Sequence, residues 1–129
     1  MGKEIVGEEY NELNLMCPIR YTLNIVGGKW KLPIICMLAH GLPIRYGTIK
    51  RKLDGVTNMM LSQSLKELEA AKIIDRYQYN EIPPKVEYTL TEAGKSIVPE
   101  LIKLAEWGKD HMQKDNLYRT SCERCQSMN

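Results

Sequence analysis

The feature that most constrains the fold is a tight turn between two short helical patterns. Before the turn, segment 44–53 repeats apolar side chains at helical spacing, at Tyr46, Ile49 and Leu53. After the turn, segment 57–72 repeats them at Leu61, Leu65 and Leu68. Only Asp54-Gly55-Val56 separates the two segments. Two helices joined by a few residues that include a glycine predict a helix-turn-helix.

The remaining chain predicts two earlier helices, a hairpin and a long last helix. Helices are expected between Pro18 and Gly27, from about Trp30 to Ala39, and from Glu92 to about Lys114. After Ile73 the apolar period changes to two, which predicts strands at 74–79 and 85–90 around the proline-stiffened loop NEIPP. Thr57 and Thr91 suit the caps of the helices that follow them. We therefore predict a mainly α chain with a small antiparallel β-hairpin wing, an α+β winged helix-turn-helix.

The length of 129 residues predicts one compact domain. We assign that domain to 17–115, with a polar N-terminal arm at 1–16 and a flexible C-terminal tail at 116–129. No secretory signal is visible, and the longest strongly apolar run, 32–39, is too short to cross a bilayer. We therefore expect a cytoplasmic protein with reduced thiols and no membrane partner.

Positive charge is concentrated in one part of a chain whose net charge is only +2. Segment 17–53 contains no acidic residue and seven basic ones: Arg20, Lys29, Lys31, Arg45, Lys50, Arg51 and Lys52. This asymmetry indicates an anionic polymer or surface as partner. We expect Lys29 and Lys31 to stay in water, and Arg45, Lys50 and Arg51, together with Lys66, to contact a nucleic-acid backbone.

The start of the second helix of the pair has an unusual polar side. Its exposed positions are short or neutral residues: Thr57, Asn58, Met59, Ser62 and Gln63. Base edges in the DNA major groove offer donors, acceptors and the thymine methyl group, which such residues can bind. Taken alone, the same residues also fit a helix cap followed by solvated positions. In the hairpin, Lys85 beside Pro83-Pro84 would place one base on a stiff tip, suited to a minor groove.

Several motifs together resemble the HxlR-type winged helix-turn-helix transcription regulators, a MarR-like family. They are Cys17-Pro18, TLNIVGGKW, the step from Pro43 to Tyr46, LSQSLKELEAAKII, IPPKVEYTLTEAGK and EWG, which together cover roughly 17–112. The resemblance implies a homodimer that binds double-stranded DNA at a near-palindromic operator and dimerises through its first and last helices. The length of the last helix agrees with a role in dimerisation. At 1.5 Å per residue it would be about 34 Å long, which is longer than a domain of this size needs. Met59 stands where a charged residue is commoner in the family, so we rank it below Asn58 and Gln63.

The cysteines allow two interpretations at one position. Cys17 lies before Pro18 at a predicted helix start, a position typical of reactive thiols. The resemblance adds that some family members sense oxidants or electrophiles through a cysteine at this site. The other interpretation is a small half-buried side chain in the dimer interface. Cys36 is expected in the core, and Cys122 and Cys125 form a lone pair that no histidine completes as a metal site.

The leading hypothesis is a sequence-specific DNA-binding transcription regulator. The alternative is a winged-helix module that binds proteins and has no sequence-specific DNA binding. An enzyme is not expected, because the chain contains no evident nucleophile–base pair, carboxylate pair or phosphate-binding glycine loop. We predict no cofactor and no metal, and the sequence identifies no small-molecule effector.

Overall fold

A computed structural model of the chain describes residues 17–114. The predicted arm at 1–16 and tail at 116–129, with Cys122 and Cys125, lie outside the described residues. In chain order the elements are α1 (Pro18–Val26), α2 (Lys31–Leu38), β1 (Ile44–Arg45), α3 (Tyr46–Lys52), α4 (Asn58–Ala70), β2 (Ile74–Tyr79), β3 (Lys85–Leu90) and α5 (Glu92–Lys114). Within this range the predicted fold, helices with a helix-turn-helix and a small antiparallel wing, is confirmed.

The wing contains one more strand than the predicted hairpin. Its sheet is antiparallel in the order β1-β3-β2. Strand β2 pairs with β3 from Ile74 opposite Leu90 to Tyr79 opposite Lys85. The central strand β3 therefore has a partner on both sides.

The additional strand corrects the prediction of one helix over 44–53. Ile44 and Arg45 are extended, with Ile44 opposite Tyr88, and helix α3 begins only at Tyr46. The physical reason is the otherwise unpaired edge of β3, whose backbone groups gain partners from β1. A two-residue strand leaves no periodic signal in the sequence.

Helix α4 is held to the domain by the three leucines that the sequence predicts. Leu61, Leu65 and Leu68 are at most 2% exposed. They belong to one core with buried residues from the other helices and the wing, chiefly Val26, Ile34, Ile35, Leu38, Ile49, Ile74, Tyr88 and Leu90. Burial of this size anchors the helix on one side only, so its opposite side is left to solvent or a partner.

The end of α4 differs from the prediction. The helix stops at Ala70, not at about Lys72. Lys72 is exposed and has a left-handed φ of 62°, so it lies beyond the end of the helix. The Ile73 N–H donates to the Leu68 carbonyl, which closes the helix end and turns the chain into β2.

The start of α5 is fastened to that same turn. Thr91 caps the helix as predicted, because its Oγ1 accepts a hydrogen bond from the Gly94 N–H at 3.0 Å. The same hydroxyl lies 2.7 Å from the Lys72 carbonyl oxygen and 3.0 Å from that of Ile73. Gly94 is buried, and a Cβ there would lie 2.3 Å from the Ile73 carbonyl oxygen, so this close approach requires glycine. No helix within 17–114 is long and apolar enough to cross a membrane.

Candidate nucleic-acid interface

The predicted base-reading residues lie on the outer side of the first two turns of α4. Thr57, Asn58, Met59, Ser62 and Gln63 are all exposed, and Met59 is 81% exposed. Thr57 is the N-cap, and its Oγ1 accepts a hydrogen bond from the Met60 N–H at 3.1 Å. This side of the helix therefore presents uncharged donors and acceptors outward, the chemistry that base edges bind.

Tyr46 orders part of this surface, a role that the sequence does not indicate. Its hydroxyl oxygen lies 3.1 Å from Asn58 Oδ1, 3.3 Å from the Asn58 carbonyl oxygen and 3.2 Å from Ser62 Oγ. A phenol has one proton, so it can donate to Asn58 while it accepts from Ser62. One of the two lone pairs of Asn58 Oδ1 is then in use, whereas both protons of its amide NH₂ are left for a partner. Periodicity cannot reveal this contact, because it joins two separate helices.

The expectation that Lys31 stays in water is wrong. Its side chain is only 11% exposed, and its Nζ lies 2.6 Å from Glu67 Oε1. The other carboxylate oxygen of Glu67 accepts a hydrogen bond from Gln63 Nε2, also at 2.6 Å. The hydrogen bond from Gln63 and then the one from Lys31 lower the pKa of Glu67. A predicted reading residue is thus tied to a cation at the start of α2.

Cationic side chains are concentrated on the helix that precedes the turn. We call the exposed side of α4 that carries Thr57, Asn58, Met59, Ser62 and Gln63 the reading surface. The last turn of α3 contains Lys50, Arg51 and Lys52. Arg51 and Arg45 are exposed, as is Lys66 on α4, while Lys50 is half-buried. Three of the four residues predicted to bind phosphate are therefore exposed, and the four are distributed over β1, α3 and α4.

The wing holds Lys85 more closely than a projecting tip would. Its Nζ lies 3.9 Å from Glu81 Oε2 and 3.8 Å from Glu87 Oε2. The Lys85 Nζ also lies 4.5 Å from the centroid of the Tyr79 ring. The Tyr79 hydroxyl forms a hydrogen bond with Glu87, which raises the pKa of Tyr79. In the protein alone, the Lys85 ammonium group therefore faces carboxylates of its own wing. The fully exposed apolar side chain at the tip is Ile82.

Cys17 is the N-cap residue of α1 and is half-buried. Its carbonyl accepts a hydrogen bond from the Tyr21 N–H at 2.9 Å. Cys36 is half-buried on α2. No group of three or more metal-ligating side chains occurs within the described part of the chain.

Two helices outside the reading surface expose large apolar side chains. On α1, Ile19 is 64% and Leu23 is 57% exposed; on α5, Leu104 is 59% and Trp107 is 66% exposed. Trp107 stacks on His111 with ring centroids 5.1 Å apart. Within residues 17–114 these are the first and last helices, and the resemblance to the HxlR-type regulators implies a dimer interface on such helices.

Comparison with known proteins points to one family. The model of the HxlR-like helix-turn-helix family matches residues 25–116. The HTH-type transcriptional regulator YtcD of Bacillus subtilis is 45% identical over 96 residues, which are 74% of this chain and 75% of that protein. An HTH-type transcriptional regulator of Methanothermobacter thermautotrophicus is 42% identical over 103 residues, 80% of this chain and 78% of that protein.

A solved structure agrees with this assignment. The redox regulator HypR in its reduced form superposes with a TM-score of 0.73. The two chains are 36% identical, and the match covers 79% of this chain and 100% of that chain. Fold and sequence thus point to the same relatives.

Proposed function

The chain belongs to the HxlR-like helix-turn-helix family, and from this premise we propose that it controls transcription as a homodimer bound to a specific operator. The observation that carries the proposal is the exposed, uncharged polar side of α4, opposite leucines that are fully buried. An ordinary solvated helix would place good helix formers such as Lys and Glu there. A surface that reads bases needs the amides and hydroxyls that this helix has.

In the proposed complex, α4 enters the major groove with its N-terminal turns foremost. Asn58, Ser62 and Gln63 then contact base edges, with Thr57 and Met59 at the margin. Arg45, Lys50, Arg51 and Lys66 contact phosphates and fix the register of the domain on the duplex. The wing lies on the minor groove or the adjacent backbone.

Lys85 is assigned a smaller share of this binding than its sequence position suggests. To reach DNA it must exchange its contacts with Glu81 and Glu87. Both contacts are long for ion pairs, at 3.9 and 3.8 Å, so the exchange is possible but gains little.

Two-fold symmetry follows from the proposed dimer. The apolar side chains exposed on α1 and α5 supply the interface, and a symmetric dimer reads a near-palindromic operator. The two half-sites would be about 34 Å apart or a multiple of that distance. Action on chromosomal DNA is consistent with the expected cytoplasmic location.

Binding to DNA upstream of the protein's own gene tests the proposal. Affinity measured at two salt concentrations should fall steeply with salt, because bound lysines and arginines release counterions from DNA. The variants Asn58→Ala and Gln63→Ala should lose preference for the operator over random duplex. A protein-interaction module would show no such preference in the wild type and would keep its partner in both variants.

We propose in addition that Cys17 makes this regulator respond to oxidants or electrophiles. The support is its place at the start of α1, in the proposed interface, together with the similarity to a protein described as a redox regulator. Diamide or a quinone should change operator binding of the wild type and leave Cys17→Ser unaffected. An unchanged response in Cys17→Ser would exclude this cysteine.

A further inference from the structure

The contact between Lys31 and Glu67 is more than a surface ion pair. Lys31 lies at the start of α2, and its side chain is 11% exposed. A lysine so little exposed needs a nearby anion, because removing an ammonium group from water is unfavourable. Glu67 supplies that anion from the second half of α4, at 2.6 Å. The carboxylate is therefore held by a residue outside α4.

The same carboxylate also holds Gln63, one of the residues predicted to read bases. Glu67 uses Oε1 for Lys31 and Oε2 for Gln63, so one group connects both partners. Gln63 uses one amide proton in this contact. Its Oε1 atom and its second amide proton are left for a base. Together they match adenine, whose N6 amino group donates and whose N7 atom accepts.

We propose that Lys31 and Glu67 are positioning residues for base recognition, and that they hold the Gln63 amide in the orientation that reads an adenine. The inference rests on the proposed function, because it assumes that α4 lies in the major groove. A side chain that is already ordered loses less conformational entropy on binding. Lys31 also compensates the charge of Glu67, which would otherwise repel the nearby phosphates.

The protein without DNA gives the first test. In heteronuclear NMR spectra of the full chain, the Gln63 amide proton that is bonded to Glu67 should be shifted downfield from its position in a solvated glutamine. Glu67→Met should return it to that position. Lys29→Met is the matched control, because it removes an exposed lysine two residues from Lys31 and leaves the contact intact. An unshifted signal in the wild type would overturn the inference without any reference to DNA.

Operator scanning gives the second test. Each adenine of the operator is replaced in turn by 7-deazaadenine, which pairs normally but lacks the N7 acceptor. Wild-type binding should weaken about fivefold or more at one position. Lys31→Met should reduce that penalty, and Lys31→Met combined with Glu67→Met should abolish it. Lys31→Arg, which keeps the cation, should retain it.

The double variant separates positioning from simple charge. If Lys31 only cancelled the repulsion of Glu67, removing both groups would restore wild-type affinity and wild-type discrimination. We expect the affinity for random duplex to be restored and the discrimination to stay lost. Full discrimination in the double variant, beside a discriminating wild type, would overturn the inference alone. A wild type without operator preference would instead overturn the proposed function.

Discussion

At the scale of single residues, the reading surface already has part of its hydrogen-bonding capacity in use. Asn58 Oδ1 is engaged by the Tyr46 hydroxyl, whereas Gln63 keeps its Oε1 atom and one amide proton. Recognition of adenine by an amide requires both an acceptor and a donor. Asn58 has one of its two Oδ1 lone pairs in use and both amide protons open, so it is better prepared than Gln63 for acceptors such as guanine O6 and N7, although the sequence alone would match it with adenine. The two amides of one helix differ because their neighbours differ.

Replacing Tyr46 by Phe tests this assignment. The change removes only the hydroxyl, so we expect the free energy of unfolding to fall by about 0.5–1.5 kcal/mol. The released Asn58 amide should then accept adenine more readily, and preference at one operator position should decrease. Urea denaturation and binding to operators changed at single base pairs measure the two effects. Tyr77→Phe on the exposed wing is the control, and an equal loss of preference in it would refute the role of Tyr46.

Single cations should differ according to what they contact in the protein alone. Arg51 is exposed, so Arg51→Met should weaken binding to all sequences and reduce the salt slope by about one. Lys85→Met should have a smaller effect, since Lys85 already faces Glu81 and Glu87. Titrations at several salt concentrations compare the two slopes. Equal slopes for the two variants would show that Lys85 leaves its carboxylates on binding.

The sequence predicts which residues occupy the outer side of α4, because helical spacing alone determines it once the leucines are buried. It does not predict what orders them. Tyr46 and Lys31 reach the reading surface from other helices, and only tertiary packing brings them there. The prediction that Lys31 stays in water is wrong for this reason, since nothing in its local sequence indicates burial. Lys85 differs, because its carboxylate partners, Glu81 in the loop and Glu87 in β3, are near it in the sequence.

At the scale of elements, the two predicted threonine caps differ in the number of hydrogen-bond contacts that they make. Thr57 makes one capping contact, to the Met60 N–H. Thr91 accepts from the Gly94 N–H, and its hydroxyl also reaches the carbonyl oxygens of Lys72 and Ile73. The second cap therefore joins α5 to the turn between α4 and the wing, as well as starting its helix.

Alanine at each cap should reveal this difference. Loss of an ordinary N-cap costs about 1 kcal/mol, which is the expectation for Thr57→Ala. Thr91→Ala should cost more, about 2 kcal/mol, because it also leaves carbonyl groups of the turn without their donor. Denaturant unfolding of both variants gives the comparison. Thr22→Ala, inside α1, is the control and should be close to neutral. Equal losses at the two caps would show that the additional contacts of Thr91 contribute nothing.

The element pattern was predictable wherever it is periodic, as in α4, α5, β2 and β3. The strand β1 was not, since two residues are too few for a period and lie directly before the helical spacing of Tyr46 and Ile49. The extended conformation of β1 depends on the pairing of Ile44 with Tyr88, which lies far along the chain. Local sequence could not supply that partner.

At the scale of the whole molecule, the exposed apolar side chains are distributed unevenly. Ile19 and Leu23 lie on α1, and Leu104 and Trp107 lie on α5. Ile97 and Leu101 on the same α5 pack against the core, so this helix serves the domain with one part and exposes another. Such a division is expected of a helix that also packs against a second subunit.

Leu104→Glu should therefore separate the proposed dimer without unfolding the domain. Burying a carboxylate in an apolar interface is unfavourable, whereas Leu104 contributes little to the core because it is 59% exposed. Analytical ultracentrifugation should show a monomer with an unchanged circular dichroism spectrum. Affinity for the full operator should fall by about a hundredfold, since the second half-site no longer binds as part of one molecule. Affinity for an isolated half-site should be unchanged.

Ile82→Glu is the matched control for this experiment, because Ile82 is another exposed apolar residue but lies at the tip of the wing. It should leave the mass of the assembly unchanged and affect only contacts with DNA. A Leu104→Glu variant that sediments like the wild type would place the interface elsewhere. A wild type that sediments as a monomer on its own and on the operator would contradict the symmetric arrangement itself, because then no second α4 would be available for the other half-site.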